Sequence, residues 1–234
     1  MSKANKSNKA IKYRLYPNDE QKVMFAKTFG CCRFVYNQLL ALQKQRYKDG
    51  KSHLSKLKSN EFATRTLKKD YDFLKEIDKF AVSNAVFHLA DAYDKFFKKQ
   101  NHFPKFKSKR KSKKSYTTNF TNNNILIGKN VIKLPKVGMV KAVIHKLPKD
   151  DWKLKSVTVS QDSVGNYFAS VLFEYEQEDI PSVSKSSTNA IGLDYKSDGL
   201  YMDSNGNKAG VHKYYRESHK KLVKEQRRLS RKAG

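Results

Sequence analysis

The period of the hydrophobic positions changes twice along the 234 residues of this chain. In "AIKYRLYP" Ile11, Tyr13 and Leu15 alternate with polar residues, as in a half-buried strand, and Pro17 ends the run. Asn18 followed three residues later by Gln21 has the form of a capping box, so a helix is expected to begin there, with Gly30 as its stop. Val35, Leu39 and Leu42 then recur at helical spacing and predict a second helix. Two helices joined at Gly30 have the outline of a DNA-binding helix-turn-helix, although most such pairs only pack against each other. Residues 51–75 are polar and lysine-rich and predict a loop with one or two short helices. In "DKFAVSNAVFHLADAYDKFFKK" the positions Val82, Val86, Leu89, Tyr93 and Phe96 form one face of a long amphipathic helix.

From Tyr116 to about Ile180 the period becomes two. One hairpin is predicted around Gly128-Lys129-Asn130 and another around Val164-Gly165-Asn166, with Tyr167, Ala169, Val171, Phe173 and Tyr175 on one face. Several short antiparallel strands of this kind predict a small β-barrel. "DIPSVSKSST" reads as a linker, and in "NAIGLDYKSDGLYMDSNG" an apolar run ends at Asp194, turns, and is followed by a second run ending in Asn-Gly. The last stretch, "HKYYRESHKKLVKEQRRLSRKAG", reads as a basic helix.

Composition decides what this α+β scaffold is for. Lys and Arg number 49 against 22 Asp and Glu, a formal charge of +27, and so large an excess calls for a polyanionic partner. No apolar run approaches the ~20 residues of a membrane span, no apolar leader follows Met1, and no lipid-anchor motif is present, so a cytoplasmic, nucleic-acid-binding protein with no membrane role is expected. Residues 98–114 hold nine Lys or Arg and no acid, interrupted by Phe103, Pro104 and Phe106. Cations that neutralise phosphates, interleaved with rings that stack on bases, suit single-stranded or looped nucleic acid. The candidate contacts are Lys105, Phe106, Lys107, Lys109, Arg110, Lys113, Lys114 and Tyr116, with Lys12 and Arg14 of the first strand. Replacing Lys105, Lys107, Lys109 and Arg110 by Ala is expected to weaken RNA binding and leave the thermal melt nearly unchanged. The adjacent Cys31 and Cys32 suit neither a disulfide nor a zinc site and are expected in a helix core, and His88 lacks a second ligand four residues away.

At Asp194 the sequence resembles a known family. "IGLDYKSDGLYMDSNG" is similar to the first motif of a RuvC-type nuclease, an RNase H-like fold whose first strand ends in a metal-binding aspartate. "YRLYPNDEQ", "CCRFVYNQLL", "AYDKFF", "FPKFKSKRKSKKSY" and "LSRK" follow the order and rough spacing of TnpB-type proteins, transposon-encoded RNA-guided nucleases related to type V CRISPR effectors, over nearly the whole chain. The resemblance implies a helical recognition lobe inserted into a wedge β-barrel, then the first strands and a helix of an incomplete RuvC-like domain. Its boundaries would be a tail and first wedge strand over 1–16, the lobe with its basic segment over 17–111, the barrel over 112–180, a linker over 181–188 and the nuclease start over 189–234. It further implies that guide RNA and target DNA with a short adjacent motif are the partners, and that Lys79, Phe80, Ser83, Thr118 and Asn119 read that motif.

In such a family Asp194 would be a catalytic residue and a ligand of two Mg²⁺ ions, which prefer hard oxygen donors. The family's other two carboxylates and its four-cysteine zinc ribbon lie downstream and are absent here; Asp198 and Asp203 read as ordinary polar residues, and Lys196 stands where the common pattern has Gly. The expectation is therefore the N-terminal portion of a Mg-dependent, RNA-guided DNA endonuclease linked to transposition, binding nucleic acid without cutting it on its own. A nuclease-dead guide- or DNA-binding repressor, and a basic RNA-binding protein with no catalytic role, stand as alternatives.

Overall fold

A computed structural model describes residues 6–176, 191–195, 199–210 and 214–232. The chain divides into two units, Met1–Asp179 and Ile180–Gly234. In the first, strand β1 (Lys6–Tyr16) leads into helix α1 (Asp19–Lys48). Three short elements follow: α2 (Lys56–Glu61) with a π-helical continuation over Phe62–Leu67, α3 (Lys68–Asp70), and a 3₁₀ turn over Asp72–Lys75. Helix α4 (Lys79–Phe97) precedes strands β2 (Lys114–Asn119), β3 (Leu126–Ile127), β4 (Val131–Leu134), β5 (Gly138–Val143), β6 (Lys153–Gln161) and β7 (Tyr167–Glu176).

The expected cap is present: the Asn18 side chain accepts from the Gln21 amide and the Gln21 side chain accepts from the Asn18 amide, which satisfies two orphan donors at the start of α1. The expected stop at Gly30 is not. Helix α1 runs through it for 30 residues, so there is no helix-turn-helix here. A helical glycine costs only about 1 kcal/mol relative to Ala, and on either side of it Phe29, Cys31, Cys32 and Val35 are buried, Cys32 donating to the carbonyl of Ala81 in α4. Burial pushes the Cys31 thiol up to about 11 and the Cys32 thiol up to about 12, and both are free. They are inert core residues, as the sequence implied.

All seven strands form one antiparallel sheet in the order β2-β6-β7-β1-β5-β4-β3. Strand β1 is central, pairing Ile11 with Val171, Tyr13 with Ala169 and Leu15 with Tyr167 on one side, and Leu15 with Ala142 of β5 on the other. The alternation that predicted these strands is the alternation of burial: Ile11, Tyr13, Leu15, Val157, Val159, Ala169, Val171 and Phe173 are all inside. The helices lie in chain order between a central strand and an edge strand of the same sheet. No strand pairing among the described residues joins β2 to β3, so the expected closed barrel is an open sheet. The free edge of β2 is covered instead, because Asn84 of α4 donates to the carbonyl of Thr117 at 2.9 Å.

The second unit has a three-stranded sheet of β8 (Leu193–Asp194), β9 (Tyr201–Asp203) and β10 (Lys208–Ala209), and helix α5 (Tyr214–Lys232), which has no buried residue. Its β9–β10 turn repeats the chemistry of the β6–β7 turn. Asp203 Oδ1 accepts from the amides of Asn205 and Asn207, as Asp162 Oδ1 does from those of Val164 and Asn166, and Gly206 and Gly165 take φ of 85° and 96°. The Asn207 side chain, with the amides of Asn207 and Asn205, holds the Asp203 carboxyl below the usual carboxylate range, and at Asp162 desolvation is outweighed by the hydrogen bonds from Asn166, Val164 and Gly165, which hold it low as well. The linker 181–188, Lys196 and Asp198 lie outside the described residues.

Since a Cβ on Gly30 would meet nothing within 4 Å and the backbone there is helical, Gly30→Ala is expected to raise the unfolding free energy by about 0.5–1 kcal/mol. Chemical denaturation measures it; a turn at Gly30 would instead make the substitution destabilising.

Candidate nucleic-acid interface

Two chain segments 40 residues apart meet at the start of α4. Asp78 caps that helix by accepting from the Ala81 amide at 3.2 Å, and the same Oδ2 accepts the hydroxyl proton of Thr118 on β2 at 2.7 Å. Thr118 is 0% exposed and Asp78 7%. One turn further, Asn84 donates to the Thr117 carbonyl and to Asn119 Oδ1, and Asn124 donates to the Asn119 carbonyl. The first turn of α4 is thereby fixed against the end of β2.

Beside this junction lies a cleft of about 470 Å³ whose lining includes Lys68, Lys75, Lys79, Phe80 and Lys136. Lys79 Nζ sits 5.0 Å from the centroid of the Phe80 ring, Lys75 is paired with Asp72, and burial pushes the Lys68 ammonium down. Of the five residues that the resemblance implicates in motif reading, Lys79 and Phe80 line the cleft, and Ser83 and Asn119 are half-buried nearby in sequence on α4 and β2. Thr118 has its side chain spent on Asp78, so it positions its neighbours and offers no hydroxyl to a ligand. Asp78 carried a legible signal, as a helix-capping Asp; Asn84, Lys68 and Lys136 carried none.

The basic segment is held rather than free. Asn37 of α1 clasps Lys107 by both backbone groups, accepting from its amide at 2.8 Å and donating to its carbonyl at 2.9 Å. Lys107 lies 3.9 Å above the Tyr36 ring, and its half-buried ammonium is pushed down by desolvation, so it does not belong with the solvated cations. Lys105, Lys109, Arg110, Lys113 and Lys114 are exposed, Lys114 donating to Gln161. Ser108 and Ser112 cap a turn between them. Tyr116 is a correction: it is 3% exposed and packs on Phe25 and Phe29, because it shares the inner face of β2 with Thr118. Phe106 stays 53% exposed beneath Lys44, and Phe103 packs edge-on against Tyr93 and Phe96. On β1, Lys12 lies over Phe168 at 4.2 Å, and Arg14, over the same ring at 5.0 Å, donates to Asn166.

Asp194 ends β8, opposite Met202, and is exposed. Both oxygens of Asp203 are occupied by its own turn, Oδ2 accepting from Asn207 Nδ2 at 2.8 Å. Among the described residues no three His, Cys, Asp or Glu side chains gather to hold a metal ion. This donor set does not fit a pair of Mg²⁺ ions, which need oxygen ligands from several points of a fold.

Removing the clasp leaves two half-buried backbone groups unpaired, so Asn37→Ala is expected to lower stability by about 1–3 kcal/mol. Lys105→Ala, Lys109→Ala and Arg110→Ala together are expected to stay within about 0.5 kcal/mol of the parent. Paired denaturation curves test both, and equal losses would contradict the distinction between clasped and solvated residues.

A family model described as a helix-turn-helix domain, HTH_OrfB_IS605, matches residues 7–52, which in this chain are β1, the single helix α1 and the residues after it. The chain is 31% identical over 227 residues to a protein of Streptomyces pristinaespiralis named as an RNA-guided DNA endonuclease, covering 96% of this chain and 55% of that one. It is 30% identical over 230 residues to the Escherichia coli K12 protein named as the RNA-guided DNA endonuclease InsQ, covering 95% and 54%. It is also 34% identical over 113 residues to the virulence protein VsdF of Salmonella dublin, covering 43% of this chain and 93% of that protein. The chain spans about half the length of the two endonuclease relatives. With the resemblance running along almost all of its length, the chain belongs to the TnpB-type, transposase OrfB family.

Proposed function

We propose that this chain is the part of an RNA-guided DNA endonuclease that holds guide RNA and target DNA, the first unit serving as wedge and recognition lobe. The observation that carries the reading is the cationic cleft at the start of α4, where Lys79 and Phe80 are set against the end of β2 by the buried Asp78–Thr118 hydrogen bond. Reading a short DNA motif requires side chains held in a fixed place against base edges, and a capped helix end locked to a strand provides that. The exposed cations of the basic segment, with those of α5, would contact backbone phosphates of the RNA.

In the same reading the second unit is the start of a RuvC-like domain and Asp194 one carboxylate of its catalytic site. The described residues bring Asp194 no second acid, so no cleavage step follows from them.

The chain is expected to bind RNA with log K falling by roughly 0.7 per phosphate contact per log unit of salt for single strands, and roughly 0.9 for duplex. Filter binding across a salt series measures the slope, and a flat response contradicts the reading. Lys79→Ala with Phe80→Ala is expected to weaken binding to duplex DNA carrying the adjacent motif by about tenfold, as for the loss of one base contact, with RNA affinity unchanged. Equal losses on both ligands would contradict a motif-reading cleft. Asp194→Ala is expected to alter neither affinity.

A further inference from the structure

We infer that a second nucleic-acid site lies where α1 and α4 end: an aromatic pocket that takes an unpaired base of a single-stranded nucleic acid, with a lysine rim for its phosphates. The inference rests on the proposal that the chain binds nucleic acid, but on different residues. Along helix α4, the pocket residues Tyr93 and Phe97 lie 14 and 18 residues from Lys79, which at about 1.5 Å per residue puts the pocket about 21–27 Å along the helix from the Lys79 cleft.

The pocket has a volume of about 580 Å³. Its floor is Tyr93, 4% exposed, and its walls include Phe96, Phe97 and Phe103. The rings are held by one another: Phe103 meets Tyr93 at 5.6 Å and Phe96 at 5.2 Å, both nearly perpendicular, and Phe97 lies at 22° to Tyr93. Two rings remain largely in water, Phe97 at 65% and Tyr47 at 85%, whereas the buried core rings of the same unit are at 9% or less. Contiguous exposed rings of this kind mark a binding surface more often than a packing remnant.

Charge selects the occupant. Lys44, Lys48 and Lys51 line the pocket with the rings. The acid at this end of α1 is Asp49, which already pairs with Lys51 and accepts from Gln45, and Asp94 lies near His53. A flat apolar cavity edged by cations matches a base, whose face stacks and whose phosphates are anionic; stacking is indifferent to base identity, and a base inside a duplex cannot enter.

The test uses the whole chain, oligouridylate, oligothymidylate and a perfectly paired RNA duplex. Tyr47→Ala with Phe97→Ala is expected to weaken binding of the single strands by about tenfold or more, to leave duplex affinity unchanged and to leave the salt slope unchanged, because no ionic contact is lost. Phe97→Trp, which keeps a ring, is expected to retain affinity. Photocrosslinking of iodouridine-substituted RNA or DNA to the parent protein, mapped by mass spectrometry, is expected to label Tyr47 or Phe97, and which oligonucleotide labels more strongly distinguishes RNA from DNA. Unchanged single-strand affinity in the double variant, with labelling elsewhere, overturns the pocket and leaves the cleft and basic segment standing. Self-association that the double variant abolishes, with no labelling, overturns it in favour of a second copy of the chain. A parent protein that binds no oligonucleotide overturns both the pocket and the proposed function.

Discussion

The hydroxyl of Thr118 donates to a carboxylate that is already capping α4, and both groups are out of water. A buried carboxylate is tolerated only when its oxygens are hydrogen-bonded, and removing one partner costs more than the bond contributes. The pair therefore fixes one relative placement of the helix start and the strand end. Asn84 extends the junction by satisfying the open edge of β2, which would otherwise be free to pair with another chain. The Lys79 and Phe80 side chains follow directly from Asp78, so the cleft they line inherits its geometry from this hydrogen bond.

The charge on the first unit is organised by the same economy of contacts. Lys107, Lys44, Lys12 and Arg14 each lie over an aromatic ring, which restricts the side chain; Lys12 stays exposed, whereas Lys107, Lys44 and Arg14 are half-buried. Surface ion pairs contribute little to folding, and these cations are retained at some cost in self-repulsion. A scaffold that orders its cations before any polyanion arrives loses less side-chain entropy on binding it. The clasp of Asn37 on Lys107 does the same for a segment that has neither helix nor strand to hold it.

Local pattern made the strands, both hairpins, the Asn18 cap and the buried stripe of α4 legible, since each is set by neighbours within a few residues. It failed where a weak local preference met strong tertiary packing. Gly30 reads as a stop, but one glycine opposes a run of buried side chains on either side of it. Tyr116 sits next to a lysine run and reads as part of it, yet alternation along β2 turns it inward, on the same face as Thr118. The links that build the cleft and hold the basic segment, Asp78 to Thr118 and Asn37 to Lys107, span 40 and 70 residues, and no short-range signal encodes either pairing. The role proposed for Asp194 rests on resemblance alone, because an aspartate ending a short strand is common.

The central claim is that Asp78 and Thr118 act as one unit in joining helix to strand. A double-mutant cycle of Asp78→Ala, Thr118→Val and the pair, followed by denaturant unfolding, tests it most directly. The account predicts that the two losses are not additive, with an interaction energy of about 1–2 kcal/mol. Additive losses, with an interaction energy near zero, would contradict it.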